Sequence, residues 1–157
     1  MNGKQLVIDT LKHKKTSRIP WIPFAGVHAG LLCGYDAKEV LTDADKLYQS
    51  VNEANKIYHA DGQPVVFDLQ IEILGCKLQW ETYSPPSVKT HPLENTDEIP
   101  CLCTLPKKES GRIPIVLDVM TRLKNQIGED TALFGLVCGP FTLASHLRGT
   151  NIFMDMY

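Results

Sequence analysis

Two acidic residues four positions apart, Asp68 and Glu72, follow directly on the apolar run Pro64-Val65-Val66-Phe67. A carboxylate at the end of an apolar strand is costly unless it reaches water or a partner. Asp68 therefore reads two ways, as the N-cap of a following turn or as a polar group offered to a ligand. If residues 69–74 form a helical turn, Glu72 shares a side with Asp68; otherwise it is a solvated carboxylate. His146 lies seven residues past the Gly139-Pro140 pair. It is either a second ligand-facing group or a histidine between helices. His28 sits between Gly26 and Gly30, just past an apolar segment ending at Phe24. Glycines on both sides let a backbone approach a ligand closely, and the alternative is a loop histidine in water. Phe24 and, after the Gly-Pro pair, Phe141 are apolar candidates for the same ligand-binding surface as His28 and Glu72. Cys101-Leu102-Cys103 has a single intervening residue, whereas structural zinc pairs sit two to four residues apart and need a second pair. These two cysteines read as structural.

The elements that must position these groups alternate. Leu133 to Val137 is a continuous apolar run, the habit of a strand buried on both faces of a parallel sheet. Gly139-Pro140 stops it and opens a helix with Phe141, Ala144 and Leu147 along one side and Gly149 as its cap. Upstream, residues 6–11 form a short helix that ends in the basic run Lys12-His13-Lys14-Lys15. Ile19 to Phe24, with two prolines, reads as a first strand. The spacing of Ala44, Leu47, Val51, Ala54, Ile57 and Tyr58 predicts a helix over 43–59, with His59 as a cap or surface group. Pro64 to Asp68 is a second strand. Cys76 to Glu81 alternates with period two, as one half of a hairpin would. Residues 82–106 form an irregular excursion with one short helical piece near 97–101. Ile113, Val116, Leu117, Met120, Leu123 and Ile127 mark another helix, ended by Gly128. Strands alternating with amphipathic helices predict an α/β fold with a parallel sheet and right-handed crossovers, here with three core strands.

The 157 residues are 43% hydrophobic and 22% charged, with a formal net charge of −2. That is an ordinary globular composition without the basic footprint of a nucleic-acid binder. No apolar run approaches the roughly 20 residues that span a bilayer, and the N-terminus has no signal-peptide h-region. Five cysteines, an odd number in mostly apolar settings, suggest reduced thiols in a cytoplasmic protein.

Several stretches occur in the order found in the uroporphyrinogen decarboxylase superfamily. They are Arg18-Ile-Pro, Phe67-Asp68 with Glu72 and Leu74-Gly75, Gly111-Arg112-Ile-Pro, and Gly139-Pro-Phe-Thr-Leu-Ala144. The chain resembles that superfamily over nearly its whole length, and the last block is the most specific. The resemblance implies a (β/α)8 TIM barrel. Its two main branches are the decarboxylase of haem biosynthesis and the cobalamin-dependent methyltransferases, which pass a methyl group from a methylated corrinoid protein to coenzyme M.

The decarboxylase branch has an arginine-rich loop after its first strand, which binds substrate carboxylates. The matching loop here, Phe24 to Gly30, contains no arginine, which leaves such carboxylates without bidentate partners. The decarboxylase aspartate is matched by Asp68, but its active-site tyrosine falls on His146. The chain is thus more similar to the methyltransferase branch. There the resemblance implies zinc that lowers the pKa of a thiol, which then attacks the methyl group on the corrinoid cobalt. The family's zinc ligands, a His-x-Cys pair and a later cysteine, fall in the second half of the barrel and match no position here. Zinc and corrinoid are expected of the full-length family member. Asp68 or Glu72 could orient a zinc ligand from behind.

A closed barrel takes roughly 250 residues. The expectation is therefore an open, partial barrel: residues 1–157 as the N-terminal part of one such domain, about three βα units. Its open edge and apolar face predict self-association. Three functions follow from these observations: an incomplete corrinoid-dependent methyltransferase acting with a corrinoid protein and a small thiol, a decarboxylase-like enzyme of tetrapyrrole metabolism, or a non-catalytic half-barrel that binds a partner.

Overall fold

The computed structural model describes residues 2–65, 68–96, 98 and 106–157. Helix α1 (Gly3–Leu11) starts on Asn2, whose side-chain oxygen accepts from the Gln5 N–H. That is the usual way an orphan donor of a first turn is satisfied. The other end of Asn2 donates to the Glu129 carbonyl, and Lys4 Nζ donates to the carbonyl of Gly128. A lysine placed on the exposed carbonyls of another helix end complements its dipole.

Helix α2 (His28–Leu31) occupies the segment expected to be a loop. Helix α3 (Ala37–Thr42) opens with a full capping box, in which the Asp36 carboxylate takes the Glu39 N–H and Glu39 takes the Asp36 N–H. Helix α4 (Ala44–Tyr58) starts on Asp43 and ends with His59 in the left-handed region at φ 49°. His59 is thus a cap. Helix α5 (Ile113–Ile127) carries proline in its first turn and closes on Gly128. Helices α2, α3, α4 and α5 pack around Val40, Leu41, Leu47, Val51, Ala54, Val119 and Leu123, all buried. In α4 these are the positions that the three- and four-residue spacing predicts; in α5 the buried side runs through Val119, outside the predicted stripe, and Leu117 of that stripe is exposed.

Two strands pair in parallel: β1 (Gly62–Pro64) with β4 (Ala132–Phe134), in the register Gly62 with Ala132 through Pro64 with Phe134. Both are shorter than expected. The run from Leu133 to Val137 leaves the ladder after Phe134, and Val137 is 85% exposed. It is therefore not a strand covered on both faces. Of the three expected core strands, the first does not form among the described residues. Ile19 to Phe24 lies beside β1, and the Asp61 N–H donates to the Trp21 carbonyl. Pro20 and Pro23 have no N–H to continue a ladder, so the pairing stops at that contact. The segment is held instead by Asp61. Its buried carboxylate takes both ends of the Arg18 guanidinium, at 2.5 and 2.7 Å, and the Trp21 N–H at 2.8 Å.

Arg18 holds the Asp61 carboxyl below its ordinary value of 3.8. A depressed folded-state pKa gives stability that is present above the ordinary value and lost as pH falls through the folded one. Asp61→Asn is therefore expected to lower the unfolding midpoint at neutral pH, with the gap to the parent closing below pH 3.8. Urea melts at several pH values check this, and a gap independent of pH contradicts it. Arg18 is 58% exposed, so added salt should narrow the gap as well.

A second, antiparallel pair stands apart from the sheet: β2 (Lys77–Gln79) with β3 (Ser87–Thr90), with a register shift between Lys77 and Leu78. The alternating Cys76–Glu81 stretch is thus half of a hairpin. Helix α6 (Pro140–Arg148) starts after Gly139 and ends at Gly149, as the sequence predicts, and a short α7 (Asn151–Asp155) follows. Among the described residues no helix is long and apolar enough to cross a membrane. The helical piece expected near 97–101 and the Cys101/Cys103 pair lie outside the described residues.

Candidate functional site

The centre of the site is a guanidinium. Gly111, at φ +51°, turns the chain immediately before α5. That left-handed turn suits glycine because it has no Cβ to clash. It sends Arg112 back beneath the hairpin, with the guanidinium 5.2 Å from the Trp80 ring centre. Arg112 Nη2 donates to Asp68 Oδ2 at 2.6 Å, and Nε and Nη2 reach the two oxygens of Glu72 at 2.6 and 3.0 Å. Nη1 donates to the Leu41 carbonyl at 3.2 Å. Of the two sequence alternatives the helical turn is the one formed, as a 3-10 turn, Ile71–Leu74, and Asp68 and Glu72 meet on Arg112. The two carboxylates share one cation, which is what makes their proximity tolerable.

The Asp68 side chain is 5% exposed. Burial pushes its carboxyl above the ordinary aspartate value, and the Arg112 charge only partly offsets this. The geometry agrees: Oδ2 is paired, whereas Oδ1 is buried without a hydrogen-bond partner among the described residues. Gln70 Oε1 is orphaned in the same way. Both residues line a cavity of about 510 Å³ between the hairpin, the 3-10 turn and α6. Leu69, Ile71, Leu78, Val88 and Leu136 give it apolar walls, and His91 and His146 complete its polar lining. A concave, mostly apolar space with a few converging polar groups is the form of a small-molecule site.

Of the residues singled out from sequence, Asp68 and His146 share this cavity. Glu72 stands behind it, on Arg112. Phe24 lines a second groove of about 290 Å³ with Ile22, Pro64, Phe134 and Gly135, and Leu136 borders both spaces. His28 is placed elsewhere: its Nε2 is 2.7 Å from the Tyr58 hydroxyl and its ring stacks on that tyrosine. Phe141 is 54% exposed on α6 and lines neither space. Sequence reasoning passed over Arg112 and His91 as site residues. Arg112 stood inside a block already marked, Gly111-Arg-Ile-Pro, where a left-handed glycine before an arginine was the available signal. His91 had none, since it lies in the irregular excursion.

The α6 end is held by the same excursion. His91 Nδ1 meets the His146 carbonyl at 2.7 Å, the Leu93 N–H donates to the Leu147 carbonyl, and Arg148 donates to the Leu93 and Thr96 carbonyls. The buried Cys76 thiol lies 3.6 Å from the His146 oxygen, and burial raises its pKa. Cys33, Cys76 and Cys138 are free thiols. Among the described residues no three His, Cys, Asp or Glu side chains converge as a metal site would require.

Fold and site together define an α/β protein with a carboxylate–guanidinium cluster at the end of a parallel strand and a ligand-sized cavity beside it. The profile of the uroporphyrinogen decarboxylase (URO-D) family matches residues 2–157, and the chain belongs to that family. The chain is 24% identical over 160 residues to the methylcobamide:CoM methyltransferase MtbA of Methanosarcina acetivorans, an alignment covering 98% of this chain and 47% of that protein. It is 35% identical over 85 residues to a methylated-thiol–coenzyme M methyltransferase of Methanosarcina mazei, covering 53% of this chain and 22% of that protein. Among solved structures a methyltransferase from Methanosarcina mazei superposes with a TM-score of 0.81 at 23% identity, over 99% of this chain and 48% of that one. The chain spans at most about half the length of these relatives. The similarity to the methyltransferase branch expected from the sequence is thus met.

Proposed function

We propose that residues 1–157 are the N-terminal part of a corrinoid-dependent methyltransferase, which moves a methyl group from a methylated corrinoid protein to a small thiol such as coenzyme M. The observation that carries this reading is the match to methylcobamide:CoM methyltransferases across 98% of the chain. The site supports it against the decarboxylase alternative. The Phe24–Gly30 loop holds no arginine, and the one guanidinium in the site among the described residues, Arg112, is spent on Asp68, Glu72 and the Leu41 carbonyl. Porphyrin carboxylates would find no free bidentate partner there.

In this reading the chain is an open (β/α)8 segment, and its described residues bind and position rather than complete the chemistry. Their side chains do not fit a zinc site, so no step is assigned to zinc on these residues. Asp68 and His146 face the ligand, Glu72 and Arg112 fix Asp68, and the apolar walls keep water away. Phe24 extends the surface through the groove that meets the cavity at Leu136. Exposed Trp21, Ile22, Phe24, Val137 and Phe141 favour an apolar face covered by further strands or by a second chain.

The test supplies the second half of the Methanosarcina acetivorans relative, fused or as a separate chain, and follows methylcobalamin consumption with coenzyme M. A folded chimera should transfer the methyl group, and Asp68→Asn should slow transfer by about tenfold or more, the loss of one well-placed polar contact. A folded chimera that instead forms coproporphyrinogen from uroporphyrinogen overturns the reading.

A further inference from the structure

The excursion after the hairpin places one imidazole in the cavity that none of the roles above uses. We propose that His91 is a further ligand-binding residue: its Nδ1–H is committed to the His146 carbonyl, and its Nε2 accepts a hydrogen bond from the protic end of a small ligand with an apolar body. A carbonyl only accepts, so the 2.7 Å contact from Nδ1 to the His146 oxygen requires the proton on Nδ1. In the neutral ring Nε2 then carries the lone pair. Among the described residues no hydrogen bond reaches Nε2.

The ring is held in that orientation from several sides. A Cβ on Gly149 would lie 3.0 Å from His91 Cδ2, so the glycine leaves the room that the ring occupies. The Leu93 N–H and carbonyl tie the next turn of chain to Leu147 and Arg148. The contact that orients His91 also caps the end of α6, so a fixed helix end aims the imidazole.

The class of ligand follows from what the cavity leaves unspent. Asp68, Gln70, Ser87, His91 and His146 are the polar residues of the lining, set among apolar walls. Arg112, the cation nearest these groups, is saturated by Asp68, Glu72 and Leu41. One guanidinium shared by two carboxylates leaves a net negative charge beside the cavity, so the apolar walls and that charge select a neutral ligand with an N–H, O–H or S–H for His91 Nε2, such as an amide, an alcohol or a thiol. A carboxylate of the same shape meets that net charge and has no proton to give to His91 Nε2. This inference stands independently of the methyl-transfer reading, and its test measures no methyl transfer.

The probes are 4-methylpentanamide and its anionic counterpart 4-methylpentanoate, added to the full 157-residue chain labelled with ¹⁵N-histidine. The neutral His91 ring should give the signals of a proton on Nδ1 and none on Nε2. The amide should move the Nε2 signal saturably, and the carboxylate should not. His91→Asn keeps an N–H where Nδ1 stood but has no counterpart of Nε2. It should bind the amide about fivefold to tenfold more weakly, the worth of one hydrogen bond, with an unchanged unfolding midpoint. A proton on Nε2, equal binding of the two probes, or undiminished amide binding by His91→Asn each overturns the proposal. Should His91→Asn fail to fold, the tautomer and the two-probe comparison on the parent chain decide the matter.

Discussion

Arg112→Met is expected to destabilise the protein by about 3–5 kcal/mol, the cost of leaving a buried charge without its partner. The Arg112 and Asp68 side chains are 11% and 5% exposed, and Arg112 ties Asp68, Glu72 and the Leu41 carbonyl together. Methionine fills much of the volume over Trp80 but supplies no donor. Asp68 then keeps a buried charge with neither oxygen partnered, because Oδ1 has no partner even now. The loss should not be additive: Arg112→Met with Asp68→Asn should be less destabilised than Arg112→Met alone, since the second change removes the stranded charge. Arg112→Lys should fall between the two, because an ammonium cannot reproduce the fork that spans two carboxylates. Urea unfolding of the three variants measures this. A loss under about 1 kcal/mol for Arg112→Met, the level of an exposed ion pair, contradicts it.

Gly111→Val carries the second large effect, about 2–4 kcal/mol, from a disfavoured backbone and a steric conflict together. At φ +51° a β-branched residue is strained whatever the space around it. There is no space either: a Cβ at this position runs into Ile73 Cγ2, on the same 3-10 turn that carries Glu72. The substitution therefore pushes apart the two segments that Arg112 joins. Ile73→Ala removes the colliding methyl group and should recover part of the loss, leaving the backbone cost. If Ile73→Ala recovers nothing, the conflict does not lie where the geometry puts it. Thermal unfolding of the single and double variants decides between these outcomes.

Much of the fold was legible in the residues. The stripe from Ala44 to Tyr58 and the one from Ile113 to Ile127 are helices with nearly the expected ends. The Gly139-Pro140 start and Gly149 end of α6 are likewise in place. Proline, glycine and side-chain caps act within a few residues of themselves, so their effect can be read locally. The strands were less legible. The segment Ile19 to Phe24 is apolar enough for a strand, but Pro20 and Pro23 withhold the N–H groups a ladder needs. The 26–30 segment carries two glycines and still forms the short α2, because Ala29 packs into the helical core. There tertiary burial overrides a weak local preference.

The site divides along the same line. From sequence alone, Asp68 and Glu72 share a side if residues 69–74 form a turn, which they do, and the order of marker blocks pointed to the family to which the chain belongs. Both rest on short-range spacing. The tertiary structure alone decided what joins the two carboxylates: Arg112, more than forty residues away in the chain for Asp68, delivered by the Gly111 turn. It also decided that His146 shares a cavity with Asp68, whereas His28 is taken up by Tyr58. His91 likewise became visible only when the excursion folded back onto the end of α6. Long-range pairings of this kind depend on where separate elements dock, and local spacing carries no record of that.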